Sequence, residues 1–154
     1  MERGSHLIGQ MCADFICSHR GKMLQKDITE IIIGAFYTVY NTLGYGFLEK
    51  VYENSLVVEL QKQGLAVDQQ KPLAVHYEGT VVGEYFADLV INDSVIIELK
   101  AVQAIRSEHA AQLTNYLKAT GIAVGLLLNF GPTAEFKRVI FTQNKNPRRS
   151  AASV

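Results

Sequence analysis

The sequence of 154 residues lacks an excess of charge of either sign, because 15 Lys and Arg residues are balanced by 15 Asp and Glu residues. A formal net charge of zero argues against a strongly basic protein that coats nucleic acid through bulk electrostatics. It does not exclude a local site for phosphate groups. Apolar residues make up 48% of the chain, which excludes a disordered protein and suffices for the core of one ordinary domain.

Long apolar runs are also absent, and cysteine is scarce. No run reaches about 18 consecutive apolar residues, so we predict no transmembrane helix and no membrane partner. The N-terminal residues lack the pattern of a signal peptide, so we expect a cytoplasmic protein. The two cysteines, Cys12 and Cys17, lie near His19, but no fourth ligand follows at zinc-finger spacing. Reduced thiols are the simpler interpretation, and a metal site is the alternative.

The hydrophobic pattern predicts one folded domain over residues 24–142. Residues 1–23 precede it and are interpreted as a poorly ordered leader or tag-like segment. Residues 143–154 contain basic residues without an acid and show no periodicity, so we interpret them as a flexible basic tail. No internal repeat or low-complexity segment divides the chain.

Two helices are predicted in the first half of the domain. The first begins at Asp27, which together with Glu30 resembles a capping box, and it ends at Gly44. The second covers approximately residues 47–63. Its core stripe consists of apolar residues at helical spacing: Leu48, Val51, Tyr52, Leu56 and Leu60.

The periodicity then changes to that of β-strands. The predicted strands cover residues 65–67, 73–77, 81–91, 95–100, 122–129 and 136–142. A helix over residues 107–120 separates the fourth strand from the fifth. The fifth strand is almost continuously apolar and is expected to be buried on both faces. This order predicts an α/β fold with a central mixed β-sheet flanked by helices.

Three charged residues interrupt two of the apolar strands. Asp88 lies in one strand, and Glu98 and Lys100 lie in the next. Charged side chains are rare in such runs unless they are paired or bind something. If the turn has three residues and is centred on Asp93, Asp88 lies opposite Glu98, and Lys100 points to the same face. A two-residue turn would place the carboxylates on opposite faces, so the interpretation depends on this register.

Two neighbouring carboxylates repel each other unless a proton or a cation relieves them. A hard divalent cation such as Mg²⁺ suits their oxygens, with water and substrate phosphate as its remaining ligands. Such an ion stabilises charge on a phosphodiester and lowers the pKa of an attacking water. Lys100 would orient that water or stabilise the developing negative charge. The alternative is a structural ion-pair cluster of the same three residues.

The pattern of Asp88, nine residues and Glu98-x-Lys100 resembles the motif of the PD-(D/E)xK nuclease superfamily, with Ala87 at the usual proline position. A Q-x-x-x-Y sequence at residues 112–116 is similar to the motif that follows the active-site hairpin in RecB-like nucleases. The resemblance implies a restriction-endonuclease-like core and nuclease activity.

The segment from Gly46 to Tyr52 reads G-x-x-E-x-x-Y and resembles the signature of the GxxExxY protein family. Three further stretches are similar to the same family: residues 98–102, 115–121 and 125–131. The resemblance covers approximately residues 27–142, which is nearly the whole predicted domain.

The resemblance also implies a metal site. Asp88 and Glu98 would bind Mg²⁺, with Mn²⁺ as a substitute, and the backbone carbonyl of Leu99 would be a third ligand. Glu49 would complete the site from the second helix. Glu53 lies one helical turn later and is a competing candidate for that role. Glu49 could instead be a solvated helix acid.

The remaining catalytic residues follow from the same resemblance. Lys100 would be the catalytic lysine, and Gln112 and Tyr116 would support the site or contact the substrate. Tyr116 also suits a core position, since its neighbours at helical spacing are apolar. His109 shares a helix face with both residues and is more simply explained as a hydrogen-bonded, half-buried histidine than as a base.

The sequence therefore predicts a Mg²⁺-dependent nuclease that hydrolyses phosphodiester bonds of DNA. Two alternatives stay open: a non-catalytic nucleic-acid-binding module that retains the fold, and an interaction protein whose exposed sheet edge pairs between copies in a homo-oligomer. RNA or a nucleotide could replace DNA as the ligand. The sequence contains no recognition-helix or zinc-finger motif. The balanced charge predicts weak non-specific affinity for DNA and a substrate chosen by its shape, by an end or by a partner.

Overall fold

A computed structural model describes the backbone of residues 8–143 and the side chains of residues 25–143. Within these residues the chain forms three helices and five strands, in the order α1 (Ile8–Leu43), α2 (Glu49–Lys62), β1 (Val67–Tyr77), β2 (Thr80–Ile91), β3 (Val95–Lys100), α3 (Ser107–Thr120), β4 (Val124–Phe130) and β5 (Ala134–Ile140). The side chains of the cysteine cluster, and the predicted tail apart from Gln143, lie outside the described residues. None of the helices described is long and apolar enough to span a membrane.

All five strands form one mixed sheet in the order β1-β2-β3-β4-β5. β3 and β4 are parallel, and the other neighbours are antiparallel. The parallel pair requires a crossover, and α3 provides it, whereas short turns connect the antiparallel pairs. The predicted central mixed sheet with flanking helices is confirmed.

Helices cover both faces of the sheet, and each face has its own apolar core. Leu126 and Leu128 of β4 belong to the core under α1 and α2, whereas Leu127 belongs to the core under α3. β4 is thus buried on both faces, as its apolar sequence predicts. In the first core, Phe130 packs edge-on against Phe36 and stacks on Tyr52 at a centroid distance of 4.4 Å. Burial stabilises each such side chain by about 1.5–3 kcal/mol.

α1 begins earlier than the pattern at Asp27 predicts. The helix starts at Ile8, so it extends into the predicted leader, and Asp27 lies in its interior. No proline interrupts residues 8–43, and an acidic residue is compatible with a helix interior when nothing else stops the helix. The predicted start is therefore wrong. The predicted end agrees, since Gly44 follows Leu43 with a φ of 68°.

The buried stripe of α2 is displaced from the predicted one. Leu48 is 79% exposed because it precedes the first helical residue, and Val51 is 37% exposed. Glu53 is buried instead, at 5% exposure. The prediction of Leu48 and Val51 as core residues is wrong, and an acid takes a position on the buried face.

β1 is one continuous strand, although two short strands are predicted over residues 65–67 and 73–77. It passes through Pro72 without interruption. β1 lies at the edge of the sheet, where a missing backbone N–H is tolerated because no second neighbour needs it. The predicted division into two strands is therefore wrong.

Candidate active site

The register of the β2–β3 hairpin places Asp88 opposite Glu98. The turn consists of residues 92–94, and Leu89 pairs with Ile97 at the last rung of the ladder. Asp88 and Glu98 are the next residues in line. The three-residue turn on which the sequence interpretation depends is confirmed.

Asp88 stands where β2 and β3 separate. The ladder ends at Leu89, and one carboxylate oxygen of Asp88, Oδ2, accepts the backbone N–H of Leu99 at 2.8 Å. Ala87 belongs to the core under α3 and Leu89 to the core under α1 and α2, although residues two apart on a strand normally share a face. The strand is therefore locally twisted at Asp88, and the carboxylate satisfies a backbone donor that the missing rung leaves free.

Glu98 and Lys100 lie on the α3 side of β3, the same side as Ile96. Lys100 Nζ donates a hydrogen bond to Glu98 Oε1 at 2.8 Å, and the two side chains are 16% and 4% exposed. The other oxygen, Oε2, is buried and has no hydrogen-bond partner among the described residues. A buried carboxylate oxygen without a donor is costly, so this atom is free to accept a ligand.

Both carboxyl groups resist ionisation. Burial, reinforced by the nearby Asp88 carboxylate, raises the pKa of Glu98 to about 7. The pKa of Asp88 is raised mainly by burial, against the opposing effect of the Leu99 N–H. Burial lowers the pKa of Lys100, but its hydrogen bond to Glu98 and the surrounding carboxylates outweigh this and leave the pKa raised. Two acids with raised pKa values and one cation form a cluster that an added cation would stabilise.

The two acids of α2 lie in different environments. Glu53 is buried, and its Oε1 accepts hydrogen bonds from Lys50 at 3.0 Å, Gln69 at 2.7 Å and Gln70 at 3.1 Å. Glu49 is exposed. Its charge is a minor cause of the raised pKa values of Glu98 and Lys100, after the burial of Glu98 and the contacts within the cluster.

Gln70 joins Glu53 to Asp88, and sequence reasoning missed it. Its Nε2 donates to both oxygens of Glu53 at 3.1 Å and lies 3.4 Å from Asp88 Oδ1. Its φ of 52° costs about 1–2 kcal/mol for a residue with a Cβ atom, and the β1–β2 pairing omits it. Nothing in the polar segment of residues 68–71 indicates a positive φ.

In the G-x-x-E-x-x-Y segment, the tyrosine is hydrogen-bonded to the backbone of the turn that precedes α2. Tyr52 donates its hydroxyl to the carbonyl of Gly44 at 2.7 Å and accepts the N–H of Phe47 at 3.2 Å. Gly46 has a φ of 111°, which other residues rarely adopt. The glycine and the tyrosine therefore shape the turn from which Glu49 starts α2.

The Q-x-x-x-Y pair of α3 also lies beside the cluster. Gln112 donates from Nε2 to the hydroxyl of Tyr116 at 2.6 Å. Burial raises the pKa of Tyr116, and the charges of Glu98, Asp88 and Lys100 act on the same phenol. Of the six predicted side chains, Lys100 is hydrogen-bonded to Glu98, Gln112 is hydrogen-bonded to Tyr116, and Asp88 lies next in line opposite Glu98. Glu49 lies at the start of α2 and has no hydrogen bond to the other five among the described residues.

His109 has a local partner. Its Nδ1 accepts the backbone N–H of Arg106 at 3.1 Å, at the start of α3. The residue is half-buried. This geometry agrees with the simpler interpretation of a hydrogen-bonded histidine.

The segment after Lys100 is held against β4. Asn129 is fully buried and pairs with Lys100 across the parallel ladder. Its side chain accepts the N–H of Val102 at 3.0 Å and donates to the carbonyl of Val102 at 2.9 Å. A Cβ atom on Gly131 would lie 2.0 Å from that same carbonyl oxygen. Glycine is therefore required at position 131 for the chain to approach so closely.

The donor set fits a hard divalent cation that keeps water and phosphate ligands. In residues 25–143, no group of three or more His, Cys, Asp and Glu side chains is placed so that it could hold a metal ion. Asp88 and Glu98 supply two carboxylates, and Glu98 Oε2 has no other partner in that range. Such a partial set is typical of Mg²⁺ sites that act on phosphates. The role of the Leu99 carbonyl as a third metal ligand stays a prediction.

The sequence of the chain was compared with models of known protein families. The family model of the PD-(D/E)XK nuclease superfamily matches residues 26–139. The chain belongs to that superfamily. The predicted restriction-endonuclease-like fold and superfamily are confirmed. Membership of the narrower GxxExxY family stays a prediction.

Two solved structures are similar at low sequence identity. The crystal structure of SSO0001 matches with a TM-score of 0.48 and 19% identity, covering 59% of this chain and 48% of that chain. An alkaline exonuclease from Laribacter hongkongensis, LHK-Exo, matches with a TM-score of 0.43 and 12% identity, covering 56% of this chain and 52% of that chain. The chain thus matches about half the length of either protein. No curated protein matches it.

Proposed function

We propose that the chain is a nuclease that hydrolyses phosphodiester bonds of DNA with Mg²⁺ as cofactor and Mn²⁺ as a substitute. The observation that carries the proposal is the pair of Asp88 and Glu98 at the end of the β2–β3 ladder, with raised pKa values and one buried oxygen that has no donor in the described region. Superfamily membership supports it, because PD-(D/E)XK nucleases typically use divalent metals.

Asp88 and Glu98 would hold the metal, together with the Leu99 carbonyl. When bound, a divalent ion stabilises charge on the phosphodiester and lowers the pKa of the attacking water. The chain prepares this site without the ion. Asp88 is oriented by the Leu99 N–H and by Gln70, and Glu98 is oriented by Lys100.

Lys100 would act on the substrate directly. Its ammonium stays protonated because the neighbouring carboxylates raise its pKa. Such a cation next to the metal ligands orients the attacking water and stabilises the negative charge that develops on the phosphate. Gln112 and Tyr116 would support this position from α3.

Of the two α2 acids, Glu49 is the better candidate to complete the metal site. Both oxygens of Glu53 already accept hydrogen bonds from neighbouring side chains. Glu49 is exposed and its charge reaches Glu98. Glu53 would act as a positioning residue instead, since it orients Gln70 and through it Asp88.

The test compares the wild type with Asp88→Asn. Asparagine keeps an oxygen for the Leu99 N–H but removes the charge, so the variant should fold. We expect the wild type to cleave DNA with Mg²⁺ or Mn²⁺ and not with EDTA, and the variant to cleave at least about 100-fold more slowly. Single-stranded, nicked and duplex DNA, and matched RNA, would define the substrate.

Asp93→Asn is the matched control, because Asp93 is an exposed acid in the turn of the same hairpin. It should cleave at the wild-type rate. Calorimetry with Mn²⁺ should show binding to the wild type and to Asp93→Asn but not to Asp88→Asn. Equal cleavage by all three proteins would remove Asp88 from the mechanism. DNA binding by a wild type that neither binds Mn²⁺ nor cleaves would favour the non-catalytic module.

A further inference from the structure

A groove lies on the α3 side of the sheet, between the β1–β2 hairpin and α3. Its volume is about 520 Å³, which falls within the range of about 300–1,000 Å³ typical of ligand pockets. His76 and Tyr85 line it from the hairpin, and Asn115 and Lys118 line it from the helix. The β1–β2 pairing shifts register between Val75 and His76, so a β-bulge forms part of the groove wall.

One pair of tyrosines separates this groove from the acid cluster. The ring of Tyr85 lies 5.6 Å from that of Tyr116, measured between centroids. Tyr116 is the residue on which the charge of Glu98 acts, and its hydroxyl accepts the hydrogen bond from Gln112. Asn115 follows Gln112 by three residues and therefore lies on the same side of α3. The groove continues the candidate active site along the helix.

The residues of the groove suit a nucleotide. Tyr85 is 44% exposed and offers a ring face for stacking. The amide of Asn115 carries both donors and an acceptor, as the edge of a base requires. Lys118 offers a cation for phosphate, and none of the residues that line the groove is acidic. An aromatic face beside a cation and a polar amide is typical of sites that bind single-stranded nucleic acid.

We propose that this groove binds an unpaired nucleotide of the substrate strand, adjacent to the phosphate that is cleaved. Tyr85 stacks on the base, Asn115 contacts its edge and Lys118 contacts its phosphate. The inference rests on the proposed nuclease function and names the substrate class: a single strand, an overhang or a frayed end. A base inside a duplex is covered on both faces by its neighbours, so it must leave the stack before it can contact Tyr85.

Binding to the groove can be measured without cleavage. A labelled oligothymidylate is titrated with the full chain in EDTA at low salt, and fluorescence anisotropy reports the affinity. We expect Tyr85→Leu, Lys118→Met and Asn115→Ala each to weaken binding, with the loss of stacking in Tyr85→Leu worth about tenfold. All three positions are exposed, so the variants should fold, which circular dichroism checks.

Matched controls lie on the opposite side of the sheet. Tyr37→Leu replaces a tyrosine of α1 that is 37% exposed, and Lys62→Met replaces an exposed lysine of α2. Both should bind oligothymidylate as the wild type does. Equal losses in the controls and the groove variants would overturn the proposal, because the effect would not be specific to the groove.

Two further outcomes separate this inference from the nuclease proposal. Wild-type affinity in all three groove variants would overturn the proposal that the groove binds a nucleotide, even if the protein cleaves DNA through Asp88. Equal affinity for a covalently closed circular duplex and for the single strand would overturn the assignment of an unpaired base. Selective loss of binding in a protein that never cleaves would support the groove and contradict the nuclease function.

Discussion

The two halves of β2 differ in their neighbours and in their exposure. The inner half, residues 89–91, pairs with both β1 and β3 and is fully buried. The outer half, residues 80–86, pairs with β1 alone and is mostly exposed, including Val81 and Phe86. Asp88 lies at the border between the halves.

This difference explains why a charge is accepted in an otherwise apolar strand. Inside the sheet, both faces of β2 are covered and the neighbouring strands satisfy its backbone groups. At the border β3 departs, and the backbone N–H of Leu99 needs a new acceptor, which Asp88 supplies. A carboxylate at this position is therefore useful to the fold and also lies next in line opposite Glu98. The site forms where the sheet opens.

The largest effect is expected from substitutions that compare the two halves directly. Leu89→Ala in the inner half removes a fully buried side chain and should lower the free energy of unfolding by about 2–5 kcal/mol. Val81→Ala in the outer half should lower it by less than about 0.5 kcal/mol. Urea denaturation measures both. Similar losses would mean that the outer half is covered in solution.

Lys100→Ala tests the role of the lysine that pairs with Glu98. Loss of the Lys100 ammonium should slow metal-dependent DNA cleavage by about 100- to 1,000-fold, because no cation then lies at the charge that develops on the phosphate. Lys71→Ala is the control on β1, where the lysine pairs with Asp68 and Asp93 and does not contact the cluster. Initial rates at saturating Mg²⁺ measure the effect. A wild-type rate in Lys100→Ala would exclude this lysine from catalysis.

The pH dependence of stability tests the burial of Glu98. Its pKa rises from 4.5 to about 7 on folding, so the protein holds a proton between these values that the unfolded chain has lost. The contribution of Glu98 to stability should therefore be greatest below pH 4.5 and fall by about 1–3 kcal/mol as the pH rises to 7. Glu98→Gln should lack this fall. Parallel curves for both proteins, measured in EDTA by urea denaturation, would contradict the raised pKa.

Gln70→Ala is expected to have the smallest effect. Gln70 and Gln69 both donate to Glu53, but only Gln70 also reaches Asp88. Mn²⁺ affinity, measured by calorimetry, should fall about tenfold in Gln70→Ala, as is typical when a partner of a metal ligand is removed. Gln69→Ala should retain the wild-type affinity. Equal losses in both would show that the contact acts through Glu53 alone.

The acid pair could be predicted because its geometry is local. A three-residue turn sets the register, so that Asp88 and Glu98 follow the pair of Leu89 and Ile97, and this register can be read from the sequence between the two acids. The helix of Gln112 and Tyr116 could be predicted for a similar reason, since its apolar spacing and Gly121 define its extent. These elements depend on few contacts distant in sequence.

The other parts of the site depend on distant contacts. Gln70 and Glu53 are 17 residues apart, and their hydrogen bonds form only after α2 has packed beside β1. A positive φ at glutamine is imposed by those contacts and leaves no trace in the local sequence. The prediction of where α1 starts failed for the opposite reason. The pattern at Asp27 is local, but it is equally compatible with the interior of a longer helix.

The contacts of Asn129 and Gly131 with Val102 have a consequence for substrate affinity. Asn129 makes to Val102 the two hydrogen bonds that a neighbouring strand would otherwise make, so the exit from β3 is ordered as if it were part of the sheet. The conformational entropy of this segment is lost once, on folding. We therefore expect the conformation around Lys100 that binds the substrate to be the predominant one before the substrate arrives. The apparent affinity for the substrate would then be close to the intrinsic affinity, because most of the protein would already have the conformation that binds.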